Sequence, residues 1–447
     1  MERRSTIFAL SSAKGRAGVC VFRISGPEAG PAVEALTGGA APPPRTAALR
    51  EVRLADGTPI DRGLVLWFPA PASFTGEDVA EVHLHGGPSV IAAMTERLAE
   101  LPGLRPADAG EFTRRAFANG KLDLTEAEGL ADLIAADTEQ QRRLALRQLS
   151  GELKERYEAW RADLVKALAH LEASIDFADE DLPPDLTTAI RDRIARLTAE
   201  IAFHLADRRR GEIVRDGFTV VILGAPNVGK SSLLNALARR DVAIVSAIPG
   251  TTRDAIEVDL DLGGYAVTLI DTAGLRETAD EIESEGIRRA RAKAQAADLR
   301  LGVVDANSVD DSRVSPELSG HDAIVLNKSD LAPNQTVPAS PAHHTIRISA
   351  KTGEGIDDLL SWLEAQVTAR AGGADAMPIT RARHREALED ALAALKRVPA
   401  SLTAGAPHLD LAAEDLRLAA RALGRITGRV DVEDLLDVIF KDFCIGK

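Results

Sequence analysis

From Leu149 onward, apolar residues recur at helical spacing: Leu149, Leu153, Tyr157, Trp160, Leu164, Leu168 and Leu171. That nearly heptad rhythm predicts a long helix with one apolar stripe. Ile190, Ile194, Leu197, Ile201 and Leu205 repeat it. The acidic stretch DFADEDLPPD lies between the two stripes, and Pro183-Pro184 must break the helix there. Such leucine stripes read as core or as a helix–helix seam. The pattern vanishes after Arg208–Arg210 and resumes after Gly372-Gly373 and Pro378, in HREALEDALAALKRV, AAEDLRLAARALGRI and VEDLLDVIFKDF. Residues 1–118 show a different rhythm. Val19–Ile24, Gly63–Phe68 and Val79–Leu84 are β-rich runs bounded by Gly, Pro and Asp. A Pro/Ala-rich loop (Gly38 to Arg45) and a helix near Val90–Leu101 complete a compact α+β module. Between the helical stretches, Val220–Leu223 is a short β-branched strand ending at a glycine. Helices on both sides of an α/β unit predict that the unit is inserted into a helical domain; three domains in a row is the alternative. No repeat of 20 to 50 residues is visible.

The length of 447 residues suits roughly three domains. The formal net charge of −14 argues against nonspecific coating of nucleic acid, although a local basic site remains compatible with it. Arg142-Arg143, Arg208–Arg210 and the Arg381–Arg385 cluster are basic candidates for nucleic-acid contact, and each also reads as a solvated helix face. The two cysteines, Cys20 and Cys444, form no disulfide framework, so a reducing, cytoplasmic setting is expected. The short apolar run Ile7–Leu10 makes neither a signal peptide nor an anchor, and no stretch of 18 apolar residues predicts a membrane span.

The chemistry concentrates after Leu223. Gly224-x-x-x-x-Gly229-Lys230-Ser231 follows the strand and opens a helix carrying Leu233, Leu234 and Leu237. Strand, glycine loop and helix are the context a phosphate loop requires. The backbone N–H groups and the helix N-terminus favour an anion. Lys230 is expected to reach the β/γ-phosphates and Ser231 to ligate Mg²⁺, with Asn227, Val228, Gly229 and Ser232 completing the cradle. Asp271-Thr272-Ala273-Gly274 follows the strand Val267–Ile270: the aspartate can hold Mg²⁺ through water, and the glycine N–H can sense a γ-phosphate. Asn327-Lys328-Ser329-Asp330 follows Ala323–Leu326. Asp330 can accept from the guanine N1 and N2 donors, which adenine lacks, so GTP is preferred over ATP. Ser349-Ala350-Lys351 follows Ile346–Ile348 and can offer an N–H to the guanine O6. Four such stretches at strand ends place the ligand along the carboxyl edge of a parallel sheet. Gly250–Asp254 has the position of a switch loop: Thr252 is favoured for Mg²⁺, and Thr251 can face a second cation.

Leu275 stands directly after Gly274, where many small GTPases carry a glutamine that orients the attacking water. Leucine cannot do this, so Arg276, Glu277, Glu281 and Glu283 become candidates. At the other end of the chain, Cys444 lies near Lys447, which favours its thiolate.

Taken together, RISG (Arg23–Gly26), FTGED, HGG, EFTRRAFANGKLDL, GAPNVGKSSLLN, IPGTTRD, DTAGLRET, NKSD and FCIGK make the chain resemble the bacterial tRNA modification GTPase family MnmE, also called TrmE, over essentially its whole length. The resemblance implies a multidomain α/β and α+β protein. Residues 1–118 would form an α+β dimerisation domain binding a formyl-tetrahydrofolate. Residues 119–214 and 374–447 would form a helical domain, with a Ras-like GTPase domain at 215–373 inserted. It implies folate contacts at Arg23, Glu81, Lys121 and Lys447. It implies K⁺ ligation by Asn227, Ser246, Ile248 and Thr251, and Mg²⁺ ligation by Ser231 and Thr252. Glu283 would help orient the water, and Cys444 would be a required cysteine. It further implies a homodimer and an FAD-dependent MnmG-type partner in a heterotetramer or larger complex. The product would be an aminomethyl or carboxymethylaminomethyl group at C5 of the wobble uridine of certain tRNAs. The alternatives are a GTP-switched binding protein for RNA or ribosome assembly, which would need an RNA-binding appendage, and a one-carbon enzyme working through the N-terminal module alone.

Overall fold

The computed structural model describes residues 5–13, 15–176, 186–244, 257–271, 297–307, 318, 322–332, 343–373, 377–403, 409–430, 436, 439–440, 443 and 446. The chain divides into two compact units. The first comprises residues 1–131, 149–165 and 420–447; the second comprises 132–148 and 166–419.

In the first unit a six-stranded sheet runs in the order β3-β4-β5-β2-β1-β6. Its strands are β1 (Thr6–Leu10), β2 (Ala17–Ser25), β3 (Ala48–Arg53), β4 (Pro59–Phe68), β5 (Val79–Gly86) and β6 (Leu104–Pro106). All pairings are antiparallel except β1 with β6. Alternation along the strands separates two faces. Phe8, Phe22, Ile24, Val65, Val82 and Leu84 pack with Val33, Leu36, Met94 and Leu98 of helices α1 (Ala29–Thr37) and α2 (Pro88–Ala99). On the opposite face Ile7 and Ala9 meet Phe112 of α3 (Glu111–Ala118). The expected strands and the α2 helix are present, and β1, β3 and β6 are added to them.

Polar residues on and beside these strands are not all solvent-facing. Ser25 is fully buried and bonded to Thr75 and Glu77, at 2.8 and 2.9 Å. Arg115 is buried too. Its guanidinium donates to Glu77 at 2.9 Å and to the Ser5 and Ser25 carbonyls at 2.7 and 3.3 Å. A buried guanidinium persists because its donors are matched by a carboxylate and carbonyls. The first turn of α4 (Leu124–Ala135) packs against Phe440 and Phe443.

The helix expected from Leu149 is two helices, a correction to the pattern. Helix α5 (Glu139–Leu149) ends where the stripe begins, and α6 (Glu152–Asp176) carries the rest. Gly151 between them adopts φ +93°, outside the helical region, which the four-residue spacing of Leu149 and Leu153 does not reveal. Helix α7 (Leu186–Leu205) carries the second stripe. The helical pattern also runs past Arg210, into α8 (Arg210–Asp216).

The second unit holds another six-stranded sheet, ordered β12-β11-β10-β7-β9-β8. Its strands are β7 (Phe218–Leu223), β8 (Glu257–Leu262), β9 (Tyr265–Asp271), β10 (Leu299–Asp305), β11 (Ala323–Asn327) and β12 (His344–Arg347). Only β8 runs antiparallel. The central strands are apolar on both sides, as a parallel sheet covered on its faces requires. Leu233, Leu234 and Leu237 of α9 (Lys230–Ala238), and Leu359, Leu363 and Val367 of α10 (Ile356–Ala371), seal the main core. Helices α11 (Ala382–Thr403) and α12 (Leu409–Thr427) follow. No described helix is long and apolar enough to cross a membrane.

Candidate functional sites

The carboxyl ends of the parallel strands assemble one site. After β7 the chain turns through Gly224 (φ +148°), Asn227 (φ +67°) and Gly229 (φ +99°) into α9. A Cβ on Gly224 would stand 2.4 Å from the Val303 carbonyl, and one on Gly229 would stand 2.2 Å from the Asn327 side-chain nitrogen. Only glycine fits either position. Lys230 is buried, and its Nζ donates to the carbonyls of Gly224 and Ala225 at 2.8 and 3.0 Å, the inner wall of the loop. The Ser231 hydroxyl donates to Asp271 at 2.9 Å, so the two groups assigned to Mg²⁺ already face one another. Ser232 and Asn227 are exposed beside them, and Val228 is buried.

Asn327, at the end of β11, ties the site together. Its Nδ2 donates to the Val228 carbonyl at 2.9 Å, and its Oδ1 accepts from the N–H groups of Lys328 and Ala350, at 2.8 and 3.0 Å. Lys328 Nζ reaches the Asn227 carbonyl at 2.9 Å and Asp305 at 2.6 Å. Burial works against ionisation of Asp305, but the Lys328 bond and the Asn307 N–H hold its carboxyl below the ordinary aspartate range. Asp330 accepts from the Ser349 hydroxyl at 2.7 Å, which fixes its orientation at the rim, and Lys351 follows on the exposed turn. Three strand-end segments thus converge on the phosphate loop. Sequence pattern gave no role to Asp305; its only signal is an aspartate closing an apolar strand. Ser246, Ile248, Thr251, Thr252, Thr272, Ala273, Gly274, Leu275 and Glu283 lie outside the described residues, as do Cys444 and Lys447. Among the described residues no cluster of three His, Cys, Asp or Glu side chains could hold a metal ion.

The second site lies in the first unit. The register Ala9↔Arg23 and Arg23↔Glu81 places Arg23 and Glu81 side by side on neighbouring strands, on the Phe112 face of the sheet. Arg23 and Glu81 form an ion pair at 3.0 Å. The guanidinium also lies 5.5 and 5.7 Å from the ring centroids of Phe74 and Phe112. His83 approaches Glu81 at 3.3 Å. A cavity of about 520 Å³ opens here, lined by Glu81, Lys121, Phe68, Phe74, Ser73 and Arg45 among others. Lys121 Nζ donates to the Pro71 carbonyl at 3.1 Å. The Gly446 carbonyl accepts from the Ser11 hydroxyl at 2.9 Å and from Arg23 at 3.5 Å, which brings a C-terminal residue to the same corner. Glu81 and Lys121 line one cavity, with Arg23 paired to Glu81 beside it, Gly446 of the FCIGK motif reaches the same corner, and Arg45 joins the lining without any signal in the sequence pattern.

Five of the basic candidates are paired with carboxylates of the protein. Arg142 and Arg143 pair with Glu139, whose carboxyl is held down to about 2 by their hydrogen bonds. Arg385 meets Asp207 and Glu212 at 2.7 and 3.0 Å, Arg209 meets Glu212, and Arg381 meets Asp132 at 2.6 Å.

A family profile described as the MnmE helical domain matches residues 124–444, and one described as the N-terminus of the GTP-binding protein TrmE matches residues 6–121. The tRNA modification GTPase MnmE of Parvibaculum lavamentivorans is 58% identical over 453 residues, covering 99% of this chain and 100% of that protein. That of Paramagnetospirillum magneticum is 56% identical over 446 residues, covering 99% of each chain. That of Rhodospirillum rubrum is 54% identical over 459 residues, again covering 99% of each.

Proposed function

The chain belongs to the MnmE family of tRNA modification GTPases, and we infer that its GTP hydrolysis serves the modification of the wobble uridine at C5 together with an FAD-dependent MnmG-type partner. It is a GTP-hydrolysing enzyme of tRNA modification. The observation that carries the guanine reading is the Asn327 bridge between the phosphate loop and the Ser349–Lys351 turn, with Asp330 aligned beside it. A base seated there meets a carboxylate suited to the guanine N1 and N2 donors.

Lys230 and the loop N–H groups hold the β/γ-phosphates, and Ser231 with Thr252 ligates Mg²⁺. The Asn227 carbonyl is engaged by Lys328, which leaves its exposed side-chain amide as the oxygen offered to K⁺. Ser246, Ile248 and Thr251 supply the other oxygens. When bound, the cation offsets charge that develops on the phosphates. Glu283 orients the attacking water, since Leu275 cannot.

In the first unit, the paired Arg23 and Glu81, the aromatic walls and Lys121 suit a folate: a carboxylate for the amino-pyrimidine edge, and rings for its flat bicycle. A formyl-tetrahydrofolate supplies the one-carbon unit when bound there, and Lys447 completes the pocket. The fixed position of Gly446 supports this, because its sequence neighbours are Cys444, the proposed chemical cysteine, and Lys447. The domain limits at 118, 214 and 373, the homodimer, the larger partner complex and cytoplasmic action belong to the same reading.

The test compares GTP turnover in K⁺ and in Na⁺, then measures wobble uridine by mass spectrometry in tRNA from a deletion strain. Turnover should rise strongly in K⁺. Glu283→Ala should slow turnover with GTP affinity retained, and Cys444→Ser should abolish modification. Equal rates in the two salts would refute the potassium site. Unchanged wobble uridine in the deletion strain would refute the tRNA role.

A further inference from the structure

Arg45 closes the Pro/Ala-rich loop, and no motif includes it. In the structure it lines the same cavity as Lys121. Its guanidinium donates to the Ala72 carbonyl and stacks 5.7 Å from the Phe68 ring centroid. Lys121 donates to the carbonyl of the neighbouring Pro71. Consecutive carbonyls of one turn therefore steer both cations to one corner of the cavity. The Arg45 backbone is left-handed, at φ +59°, a conformation that costs a non-glycine residue on the order of 1 kcal/mol. Its N–H is pinned to the Trp67 carbonyl at 2.8 Å.

The charge inventory of the cavity is uneven. Glu81, the one carboxylate among the described residues of its lining, is already paired with Arg23, which stands outside it. Among the described residues, the partners of Arg45 and Lys121 are carbonyls, not carboxylates. Unneutralised positive charge thus collects where Arg45 stacks on Phe68 and Lys121 meets the Pro71-Ala72 turn. An aromatic ligand whose polar ring lies against Glu81 would direct any anionic extension towards that corner. We propose that Arg45, together with Lys121, receives the tail carboxylates of a glutamyl folate, so that the site favours γ-linked polyglutamyl forms. This rests on the folate reading above. It adds the polarity of the ligand in the cavity and a residue that sets tail specificity.

Calorimetric titration of the full chain with three ligands tests it: 5-formyl-tetrahydrofolate, its pentaglutamyl form, and a tail diamide in which both glutamyl carboxylates are neutral. The pentaglutamyl form should bind tightest, with an advantage that shrinks as salt rises. Arg45→Gln should weaken the two acidic ligands by roughly fivefold, the upper range for an exposed ion pair, and leave the diamide unchanged. Arg45→Lys should keep most of the salt-sensitive preference. Diamide binding doubles as the check that the variant is folded. Equal loss for all three ligands would assign Arg45 a structural role and overturn the proposal, as would no loss at all. If the unaltered chain binds none of the ligands, the folate reading itself falls. If it binds them without regard to Arg45, only the tail assignment falls.

Discussion

Asp123 offers a sharp test of the physical reasoning, because its two oxygens live in different worlds. Oδ1 accepts from the Thr125 hydroxyl and from the Glu126 N–H, each at 2.8 Å, while Glu126 returns a bond to the Asp123 N–H at 2.7 Å. This reciprocal box caps α4. Oδ2 is buried and has no hydrogen-bond partner among the described residues. Burial, reinforced by the Glu126 charge, pushes the carboxyl up to about 6 from 3.8, against the pull of the Glu126 N–H, the Thr125 hydroxyl and Lys154. A rise of about two units is worth roughly 3 kcal/mol. Because the folded value is the higher one, the folded state binds the proton more tightly. The stabilisation is complete below about pH 4, drains away as pH rises towards 6, and is gone above it. Asp123→Asn keeps the capping oxygen and removes the titration. Its Nδ2 takes the place of Oδ2 without an acceptor, a pH-independent cost of roughly 1–3 kcal/mol. The variant should thus gain on the natural protein by roughly 3 kcal/mol as pH rises from about 4 to about 7. Denaturant unfolding followed by Trp160 fluorescence, in a Trp67→Phe, Trp362→Phe background, reads out the first unit. Parallel stability curves for Asp and Asn across this range would refute the buried-carboxyl assignment.

Three further outcomes follow from contacts described above. Asn327→Ala removes the link from β11 to the Val228 carbonyl and to Ala350, so affinity for a fluorescent GTP analogue should fall roughly 10- to 100-fold; an unchanged Kd would show that the bridge is incidental. Arg115→Ala leaves the Glu77 carboxylate buried without its cation and should cost the first unit roughly 3–5 kcal/mol in denaturant unfolding, with a loss below about 1 kcal/mol counting against it. Gly446→Ala combines φ +96° with a Cβ that would stand 2.4 Å from the Leu10 carbonyl. It should dislodge the Ser11 contact and weaken folate binding, and wild-type affinity would show that the contact does not shape the pocket.

The nucleotide cradle was legible because its information is local. Each motif is a strand end plus a few loop residues, and the sheet merely brings the ends together. What escaped was the part that depends on register. Only the family resemblance put Arg23 and Glu81 in one site; nothing in the local pattern around Arg23 announces a partner 58 residues away. Only the pairing of β2 with β5 makes them neighbours. Arg45 and Lys121 meet through the Pro71-Ala72 turn, which neither local sequence foretells. The short strand β6 carries Arg105 and Pro106 and has no alternation to detect, whereas β1 is buried on both faces and reads only as a brief apolar run. The break at Gly151 hid inside an uninterrupted leucine rhythm, because Leu149 and Leu153 on either side of it keep the four-residue spacing.

The clasp of Ser11 and Arg23 on the Gly446 carbonyl has a consequence in time. Ser11 and its acceptor are separated by 435 positions, nearly the greatest distance this chain allows. At typical ribosomal speeds of about 5–20 residues per second, roughly 20 to 90 s pass between synthesis of the donor and of the acceptor. The sheet of the first unit can form early, since its strands all precede residue 107. Its Arg23 corner cannot be finished until nearly everything else has been made. A nascent chain would therefore carry a folded sheet with an incomplete pocket until Gly446 has been made.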